Sequence, residues 1–356
     1  MSLKKVAQIL LREKEKFAKT ITLEMGKTIR ESLAEVEKCA TLCEFLASDA
    51  ETILKTEIIK TEAKKSYIRF EPLGIIFAIM PWNYPFWQVF RAAVPTLMVG
   101  NTMLLKHASN VPQSSQLIEE IFLDAGFDKG VFQNLLIDSS MSEQVIRHRY
   151  VRGVTLTGSE KAGSVVASLA GKSIKKSILE LGGSDPFIVL DDADIEKAAS
   201  TATSARLSVT GQVCIAAKRF IIHKKIASQF IQKLTKNFIA KKIGDMGPLS
   251  GKKILETIEN QVNVSIKMGA KIIIGGKRMP GKGYFYPPTI ITNVTKKMPL
   301  YFEETFGPVA TIFIVKDDTE AIKIANDTKF GLGASVWTKN LERAKRFKFM
   351  FQIMGL

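Results

Sequence analysis

From residue 74 onward, short apolar runs alternate with segments of helical periodicity. The runs include GIIFAIM, TMLLK and GVTLTGS, and they are separated by segments such as PQSSQLIEEIFLDAG and EKAGSVVASLAG. Strands that are joined through helices pair in parallel with right-handed crossovers, so this order predicts a parallel sheet that is buried on both faces. Ligands of such sheets bind beside the carboxyl ends of the strands. We therefore expect functional residues just after the predicted strands.

A second set of alternating runs predicts a second α/β lobe. It comprises RFIIH, ASQFIQKLTKNFIA, AKIIIGG, VATIFIV and EAIKIAND. The first fifty residues have apolar positions at helical spacing and predict helices. The polar, alternating segment KTEIIKTEAKKSYIRF predicts a pair of exposed strands, whose edges need a partner.

The charge balance is strongly basic, with 51 Lys and Arg against 35 Asp and Glu and a net charge of +16. Nucleic-acid binding requires clustered cations, whereas these lysines are spread along helical patterns. The distribution predicts solvated helix faces and no nucleic-acid partner. A basic surface also attracts anionic small molecules. With 46% hydrophobic residues in 356, the chain has enough apolar material for two domains.

The three cysteines, Cys39, Cys43 and Cys214, form neither a disulfide framework nor a CxxC pair. The three histidines lie at no metal-ligand spacing, so we expect no metal. This cysteine usage predicts a reducing compartment, the cytoplasm. The chain opens without a signal-peptide pattern, and it has no apolar run long enough to span a bilayer, so we expect no membrane association.

A dinucleotide fingerprint of the form GxGxxG is absent, and two other segments are better candidates for a cofactor site. In VTLTGSEKAG, Gly158 and Ser159 follow a predicted strand and open a helix, whose N-terminus can bind phosphate; an ordinary Ser N-cap is the alternative. Lys106 ends the strand TMLLK and can reach ribose hydroxyls or a phosphate. Ser109 stands where an acid would repel the 2′-phosphate of NADP, which favours NADP or tolerance of both cofactors.

Three residues are candidates for the chemistry itself. Asn83, in the turn MPWNYPF, can donate its amide to an oxyanion, or the turn can serve only to pack Trp82. Glu180, in LELGG, lies in a run that we expect to be buried, which would raise its pKa towards that of a general base; a Glu paired with a nearby Lys is the alternative. Cys214, in SVTGQVC, is either a buried small hydrophobe or a nucleophile.

Six segments then occur in a specific order: PWNYP, LLKHAS, TGSE, LELGG, GQVC and EETFGP. This ordered set, in which Cys214 is the 34th residue after Glu180, resembles the aldehyde dehydrogenase superfamily from near residue 1 to near residue 350. The local forms PFWQVFRAAVP and KHASNVPQ are most similar to its succinate-semialdehyde dehydrogenase branch.

The resemblance implies an aldehyde dehydrogenase-like α/β fold with a Rossmann-type parallel-sheet cofactor domain and an α/β catalytic domain. The cofactor domain is expected at residues 1–53 and 71–182, the oligomerisation strands at 54–70 and the catalytic domain at 183–356. A homo-oligomer is expected for the family. The implied reaction is the oxidation of a small-molecule aldehyde, succinic semialdehyde, to the acid with NADP (or NAD).

The resemblance also implies roles for the candidate residues. The Cys214 thiolate attacks the aldehyde carbon to form a thiohemiacetal, and Asn83 and the backbone N–H of Cys214 stabilise the oxyanion. Hydride passes to the nicotinamide and leaves a thioester. Glu180 then activates the water that hydrolyses the thioester, and it can assist deprotonation of the thiol earlier.

The implied cofactor contacts begin with Lys106 and Glu304 at the two riboses, Phe306 against the nicotinamide and Ser159 at the pyrophosphate. The remaining expected cofactor residues are Trp82, Ser109, Gly158 and Leu181. Arg91, eight residues after Asn83, aligns with an arginine of related semialdehyde enzymes and is the expected clamp for the substrate carboxylate. Arg206 is a weaker candidate for that role.

The sequence departs from the family pattern at three places. Strands ahead of the first helix are missing, the linker in KKIGDMGPLS is shortened, and the chain stops before the family's PFGG…SG loop and final strand. We therefore expect a truncated chain that folds and binds nucleotide but turns over poorly. The alternatives are a dehydrogenase of another short aldehyde, such as lactaldehyde or glycolaldehyde, and a catalytically silent fragment.

Overall fold

The computed structural model describes residues 2–242 and 244–350. The chain divides into two units, the first formed by Met1–Met25 and Ile29–Leu181 and the second by Gly26–Thr28 and Gly182–Leu356. The first unit begins with the helices α1 (Ser2–Arg12), α2 (Lys14–Met25) and α3 (Ile29–Ile53). The strands β1 (Glu57–Ile59) and β2 (Ser66–Ile68) follow as an antiparallel pair, with Ile58 opposite Tyr67. The predicted pair of exposed strands is therefore present, and its role in assembly stays a prediction.

The first unit is built on a five-stranded parallel sheet. Its strands are β3 (Ile75–Met80), β4 (Thr102–His107), β5 (Phe132–Asn134), β6 (Val151–Thr157) and β7 (Lys176–Glu180), in the spatial order β5-β4-β3-β6-β7. The connecting helices are α4 (Trp87–Met98), α5 (Pro112–Asp124), α6 (Ser142–Arg147) and α7 (Glu160–Lys172), with a 3₁₀ turn at Ser139–Met141. The aromatic rings of Phe86, Phe90, Phe122 and Phe132 contact one another in series and are buried. Their burial contributes strongly to the stability of this unit.

Two carboxylates from the N-terminal helices stabilise the beginnings of later helices. Glu35 of α3 is buried and accepts the backbone N–H groups of Phe86 and Trp87, each at 2.8 Å. Glu24 of α2 accepts the backbone N–H of Gln113 at 2.7 Å, at the start of α5. A helix leaves its first N–H groups without intrahelical partners, so a carboxylate there satisfies them and complements the helix dipole. The N-terminal helices thereby hold the sheet's crossover helices in place.

The second unit contains a six-stranded sheet. Its strands are β8 (Asp185–Val189), β9 (Ala217–His223), β10 (Lys271–Ile274), β11 (Thr289–Thr292), β12 (Val309–Val315) and β13 (Ser335–Trp337), in the order β10-β11-β12-β9-β8-β13. All neighbouring pairs are parallel except β10 with β11. The helices are α8 (Ile195–Leu207), α9 (Ala227–Ile239), α10 (Lys252–Lys267), α11 (Pro299–Phe302), α12 (Asp318–Asn326) and α13 (Leu341–Met350), with a 3₁₀ turn at Ser208–Gly211. The predicted α/β fold class with two lobes is confirmed.

Within residues 2–242 and 244–350, every helix is too short or too polar to traverse a lipid bilayer.

Arg219 lies in the middle of the second unit's core. Its side chain is buried on β9, where its guanidinium donates to the carbonyls of Ser184 (2.8 Å), Ile324 (2.7 Å) and Ala325 (2.9 Å). Ile324 and Ala325 belong to the last turn of α12, where the carbonyl of Ile324 also accepts the N–H of the C-cap residue Asp327 at 3.2 Å. One buried cation thus joins β9 to the segment before β8 and to the end of α12.

We expect Arg219→Met to lower the free energy of unfolding of the second unit by about 3 kcal/mol or more, because the carbonyls of Ser184, Ile324 and Ala325 lose the hydrogen bonds from the guanidinium. The measurement is urea unfolding followed by far-UV circular dichroism. Arg278→Met is the matched control, because Arg278 is largely exposed and makes only a 3.6 Å ion pair with Glu259. Equal midpoints for the two variants would contradict the anchoring role.

Candidate active site

In the first unit, four candidate residues follow parallel strands at the carboxyl edge of the sheet. Asn83 follows β3, Lys106 is the penultimate residue of β4, Ser159 follows β6, and Glu180 ends β7. The register supports a common edge, because Ile79 of β3 pairs with Lys106 on one side and with the end of β6 on the other. The structure therefore brings these four residues to the edge where ligands of parallel sheets bind.

The side chain of His107 contacts the turn that carries Asn83 and stabilises it. Asn83 is buried and Trp82 is half-buried in this turn. The Nε2 atom of His107, at the end of β4, lies 2.9 Å from the carbonyl of Pro85, and its Nδ1 lies 2.9 Å from the amide nitrogen of Ala108. Burial lowers the pKa of His107 to about 4, so the ring is neutral at pH 7 and can donate from one nitrogen and accept at the other. His107 is a structural support that the sequence did not reveal.

Between β6 and α7 the chain makes a tight turn. The Oγ of Ser159 accepts the N–H of Ala162 at 3.3 Å, so Ser159 is the N-cap of α7. The Ser159 residue is exposed, and Gly158 donates its N–H to the carbonyl of Glu180 at 2.9 Å. A Cβ on Gly163 would lie 2.5 Å from the Cδ2 of Leu181, so a larger residue there would require the Leu181 side chain to move. The N-terminus of α7 is thus open to solvent beside β6 and β7, as a phosphate site requires.

Glu180 differs from the expectation. Its side chain is 40% exposed, so the prediction of a buried position is wrong. The physical reason is the strand order: β7 is at the edge of the sheet, and even Ile178 is 68% exposed. Its partner is Arg91 of α4 rather than a lysine, with 3.5 Å between the Nη1 and Oε1 atoms.

Arg91 lines a cavity of about 700 Å³ between α4 and the strands β6 and β7. The Nη2 atom of Arg91 also donates to the hydroxyl of Thr157 at 3.2 Å. The remaining lining is mostly apolar and includes Met80, Pro95 and Ile178. Arg91, Lys176 and Glu180 are the charged residues among those lining this largely apolar cavity, which can hold a short carbon chain and orient an anionic group.

The second unit places its candidate residues differently, ahead of strands. Cys214 precedes β9, and Glu304 and Phe306 precede β12, at the amino edge of two neighbouring parallel strands; Gly183, which was not a candidate, precedes the next strand, β8. Cys214, Glu304 and Phe306 are all half-buried. Ligands of parallel sheets are expected at the carboxyl ends of strands, so the amino-edge position of this cluster differs from the prediction.

The segment before Cys214 has an unusual backbone. Val209, Thr210 and Gly211 have φ angles of 49°, 54° and 75°, which is the left-handed region that β-branched residues rarely adopt. Two hydrogen bonds hold this conformation: Thr210 Oγ1 donates to the carbonyl of Gly247 at 2.7 Å, and Arg206 donates to the carbonyl of Gly211 at 2.6 Å. Such strain persists only where the surroundings determine it, which is typical of functional turns.

Arg206 is fully buried, and its other terminal nitrogen donates to the carbonyl of Ala217 at 3.0 Å. Burial lowers its pKa to about 9. The weaker hypothesis that Arg206 clamps a substrate carboxylate is wrong, because both terminal nitrogens bind backbone carbonyls on either side of Cys214.

Lys218 is a buried cation in the same cluster. Its Nζ atom donates to the carbonyl of Cys214 at 2.7 Å and lies 3.6 Å from the Oε1 of Glu304. Burial lowers the pKa of Lys218 to about 8. Glu304 in turn accepts the N–H of Gly183 at 3.1 Å. Lys218 was not among the predicted site residues. The visible signal was two consecutive cations, Lys218 and Arg219, directly before the apolar residues FII.

The glycine pair of LELGG leaves room for this cluster. A Cβ on Gly183 would lie 2.6 Å from the carbonyl oxygen of Cys214, and a Cβ on Gly182 would collide with the carboxylate of Glu304. Side chains at these positions would displace both candidates, so glycine is needed for the close approach.

Asp185 completes the cluster as a mostly buried acid on β8. Its Oδ1 accepts the N–H of Gly333 at 3.1 Å. Burial raises the pKa of Asp185 to about 6, although the nearby charges of Lys218 and Arg219 act in the opposite direction. Between about pH 4 and pH 6 the folded chain therefore binds this proton more readily than the unfolded chain, so stability falls as the pH rises through that window.

We expect Asp185→Asn to remove this part of the pH dependence while keeping an oxygen acceptor for Gly333. Relative to the wild type, the variant should gain about 2 kcal/mol in free energy of unfolding between pH 4 and pH 7. Urea unfolding at a series of pH values measures this, with Glu256→Gln on the exposed face of α10 as the control. Parallel curves for wild type and Asp185→Asn would contradict the assignment.

The comparisons with known proteins agree on one family. A family model described as "Aldehyde dehydrogenase family" matches residues 1–353. The chain is 50% identical over 351 residues to a protein of Synechocystis sp. named probable succinate-semialdehyde dehydrogenase [NADP(+)], covering 97% of this chain and 77% of that protein. It is 46% identical over 351 residues to succinate-semialdehyde dehydrogenase [NADP(+)] of Mycobacterium avium, covering 96% and 74%.

Among solved structures, the chain is similar to succinic semialdehyde dehydrogenase from Streptococcus pyogenes in complex with NADP+. The TM-score is 0.96 at 39% identity, and the match covers 99% of this chain and 79% of that one. The chain thus spans about three quarters of the length of the relatives it matches.

Proposed function

Because this chain belongs to the aldehyde dehydrogenase family, we propose that it oxidises succinic semialdehyde to succinate with NADP+ as the hydride acceptor. The observation that carries the proposal is its identity of 46–50%, over nearly its whole length, to relatives named for that activity. The half-buried cysteine on a strained, tightly held loop is the feature of the structure that supports it best.

Cys214 is the proposed nucleophile. Its thiolate adds to the aldehyde carbon, the carbonyl π electrons move to oxygen, and a thiohemiacetal oxyanion forms. The proposed donors to that oxyanion are the side-chain amide of Asn83 and the backbone N–H of Cys214. Both candidates lie on turns that other side chains hold: His107 and Glu35 support the Asn83 turn, and Arg206 and Lys218 bind the Cys214 loop.

The first unit offers residues that fit a dinucleotide. The exposed N-terminus of α7 at Ser159 suits a pyrophosphate, and Lys106 at the same sheet edge suits ribose hydroxyls or a phosphate. Ser109 is exposed just after β4 and carries no charge that repels a 2′-phosphate. When bound, NADP+ supplies the hydride acceptor for the oxidation. Contacts of the cofactor with Trp82, Gly158, Leu181, Glu304 and Phe306 remain part of the proposal.

Glu180 is the proposed base for the second half of the reaction. Its carboxylate takes a proton from water, whose oxygen attacks the thioester carbon; the carbon–sulfur bond breaks, and the acid and the Cys214 thiolate are released. The 40% exposure of the Glu180 side chain supports this role, because water can reach the carboxylate.

Arg91 is the proposed specificity residue. Its 3.5 Å separation from Glu180 leaves guanidinium donors for a substrate carboxylate in the apolar cavity. An uncharged aldehyde such as lactaldehyde would gain nothing from this cation.

Two further properties belong to the same proposal. The strands β1 and β2 have exposed apolar residues and open edges, which supports assembly into a homo-oligomer through residues 54–70. A nucleophilic thiol has to stay reduced, which supports a location in the cytoplasm.

We expect the purified chain to reduce NADP+ with succinic semialdehyde, and we expect Cys214→Ala to lower kcat by at least about 1,000-fold. NADPH absorbance measures the rate, and lactaldehyde and glycolaldehyde are the comparison substrates. Cys39→Ala is the matched control, because Cys39 is buried in α3 far along the chain from any candidate residue. Faster turnover of the uncharged aldehydes would refute the substrate assignment, and activity of Cys214→Ala would refute the mechanism.

We expect Ser109→Glu to weaken NADP+ binding by about tenfold or more through repulsion of the 2′-phosphate, and to leave NAD+ binding nearly unchanged. Titration of intrinsic fluorescence measures both affinities. Ser109→Gln has the same shape without the charge and should bind both cofactors like the wild type. An equal loss for NADP+ and NAD+ would place the 2′-phosphate elsewhere.

A further inference from the structure

We propose that Lys218 is a positioning residue for the nucleophile: its buried ammonium group fixes the backbone of the Cys214 loop, and its charge favours the thiolate over the thiol. This inference rests on the proposed function, in which Cys214 attacks the aldehyde.

The first step of the argument is the hydrogen bonding of Lys218. Its side chain is 2% exposed, and Nζ donates to the carbonyls of Val213 (3.2 Å), Cys214 (2.7 Å) and Ala216 (3.3 Å). An ammonium group has three N–H donors, and these three carbonyls can take all of them. The residues on both sides of Cys214 are therefore fixed to one atom.

The ammonium group of Lys218 interacts with the charged groups around it. Besides Cys214, the charged groups that act on Lys218 are Arg206, Glu304 and Asp185. Burial and Arg206 lower its pKa, whereas Glu304, Asp185 and the thiolate of Cys214 raise it. Coupling between two ionisable groups is reciprocal, so a cation stabilised by the thiolate stabilises the thiolate in turn. A nearby lysine is a known means of increasing the thiolate fraction of a cysteine.

Burial of the Lys218 ammonium group has a cost in free energy. A buried ammonium is unfavourable unless it is paired, and the nearest carboxylate oxygen, on Glu304, is 3.6 Å away, which is longer than a direct hydrogen bond. Fixing the loop does not by itself require a charge, because the amide of a glutamine also donates to carbonyls. The charge is explained if it acts on the thiol.

The test is the rate of alkylation of Cys214 by iodoacetamide between pH 5.5 and pH 8, with the modified peptide quantified by mass spectrometry. Cys39 and Cys43 are buried, so they do not compete for the reagent. We expect Lys218→Met to shift the profile to higher pH by about one unit, with about tenfold slower alkylation at pH 7. Lys218→Arg keeps the charge and should keep the wild-type profile.

Lys224→Met is the matched control, because Lys224 is exposed immediately after β9, and it should alkylate like the wild type. If Lys218→Met lacks the wild-type circular dichroism spectrum, Lys218→Gln replaces it, since glutamine keeps N–H donors and removes the charge. A folded, uncharged variant with the wild-type pH profile would overturn the inference, even if its alkylation is slower at every pH.

Alkylation needs neither aldehyde nor cofactor, so its outcome is separate from that of the proposed function. A wild-type chain that fails to reduce NADP+ but shows the expected shift would refute the proposed activity and retain the role of Lys218. A wild-type chain that reduces NADP+, with a Lys218→Met variant whose alkylation profile does not shift, would support the proposed activity and refute the role of Lys218.

Discussion

Parallel pairing of strands is the constraint on which the arrangement of both units depends. A parallel strand must be followed by a crossover, so the loops that leave one edge of a sheet all lie together. In the first unit this brings the ends of β3, β4, β6 and β7 to one edge, with Asn83, Lys106, Ser159 and Glu180 on them. In the second unit the same geometry operates at the opposite edge, where the chain enters β8, β9 and β12.

The amino edge of the second unit's sheet is stabilised by buried cations that donate to backbone carbonyls. Arg206, Lys218 and Arg219 together reach carbonyls on the Cys214 loop, before β8 and at the end of α12. Removing these charges from water is unfavourable, and the carboxylates of Asp185 and Glu304 offset only part of that cost. Burial of these charges therefore lowers the stability of the second unit, whereas their hydrogen bonds make the backbone around the Cys214 thiol rigid. Preorganisation of this kind is what a reaction with a developing oxyanion requires.

Much of the architecture was predictable because it depends on local patterns. Apolar runs of strand length separated by helical periods indicated β3, β4, β6, β9 and β12, and turn residues just after strands indicated the first unit's candidates. The exposure of Glu180 was not predictable from LELGG, because a run is buried or exposed according to the position of its strand in the sheet. That order is set by the crossovers, which no local pattern specifies.

The buried cations were harder to predict for a related reason. Lys218 and Arg219 directly precede the apolar residues FII of β9, and such a conflict between charge and burial usually indicates polar partners within the fold. Those partners are backbone carbonyls, from a distant segment in the case of Arg219 and Ile324, and from the preceding loop in the case of Lys218 and Cys214. A carbonyl is present at every residue, so no side-chain motif marks it as a partner.

Because these partners are backbone carbonyls, the loop can keep its hydrogen bonds when its side chains change over evolution. Lys218 holds Val213, Cys214 and Ala216 by their backbone carbonyls, which substitution of their side chains does not remove. The side chain of Ile215 is 64% exposed beside them, so it can vary in size and polarity without releasing the loop. New substrate preferences can therefore arise next to the proposed nucleophile through single substitutions, while the backbone contacts that hold the thiol are retained.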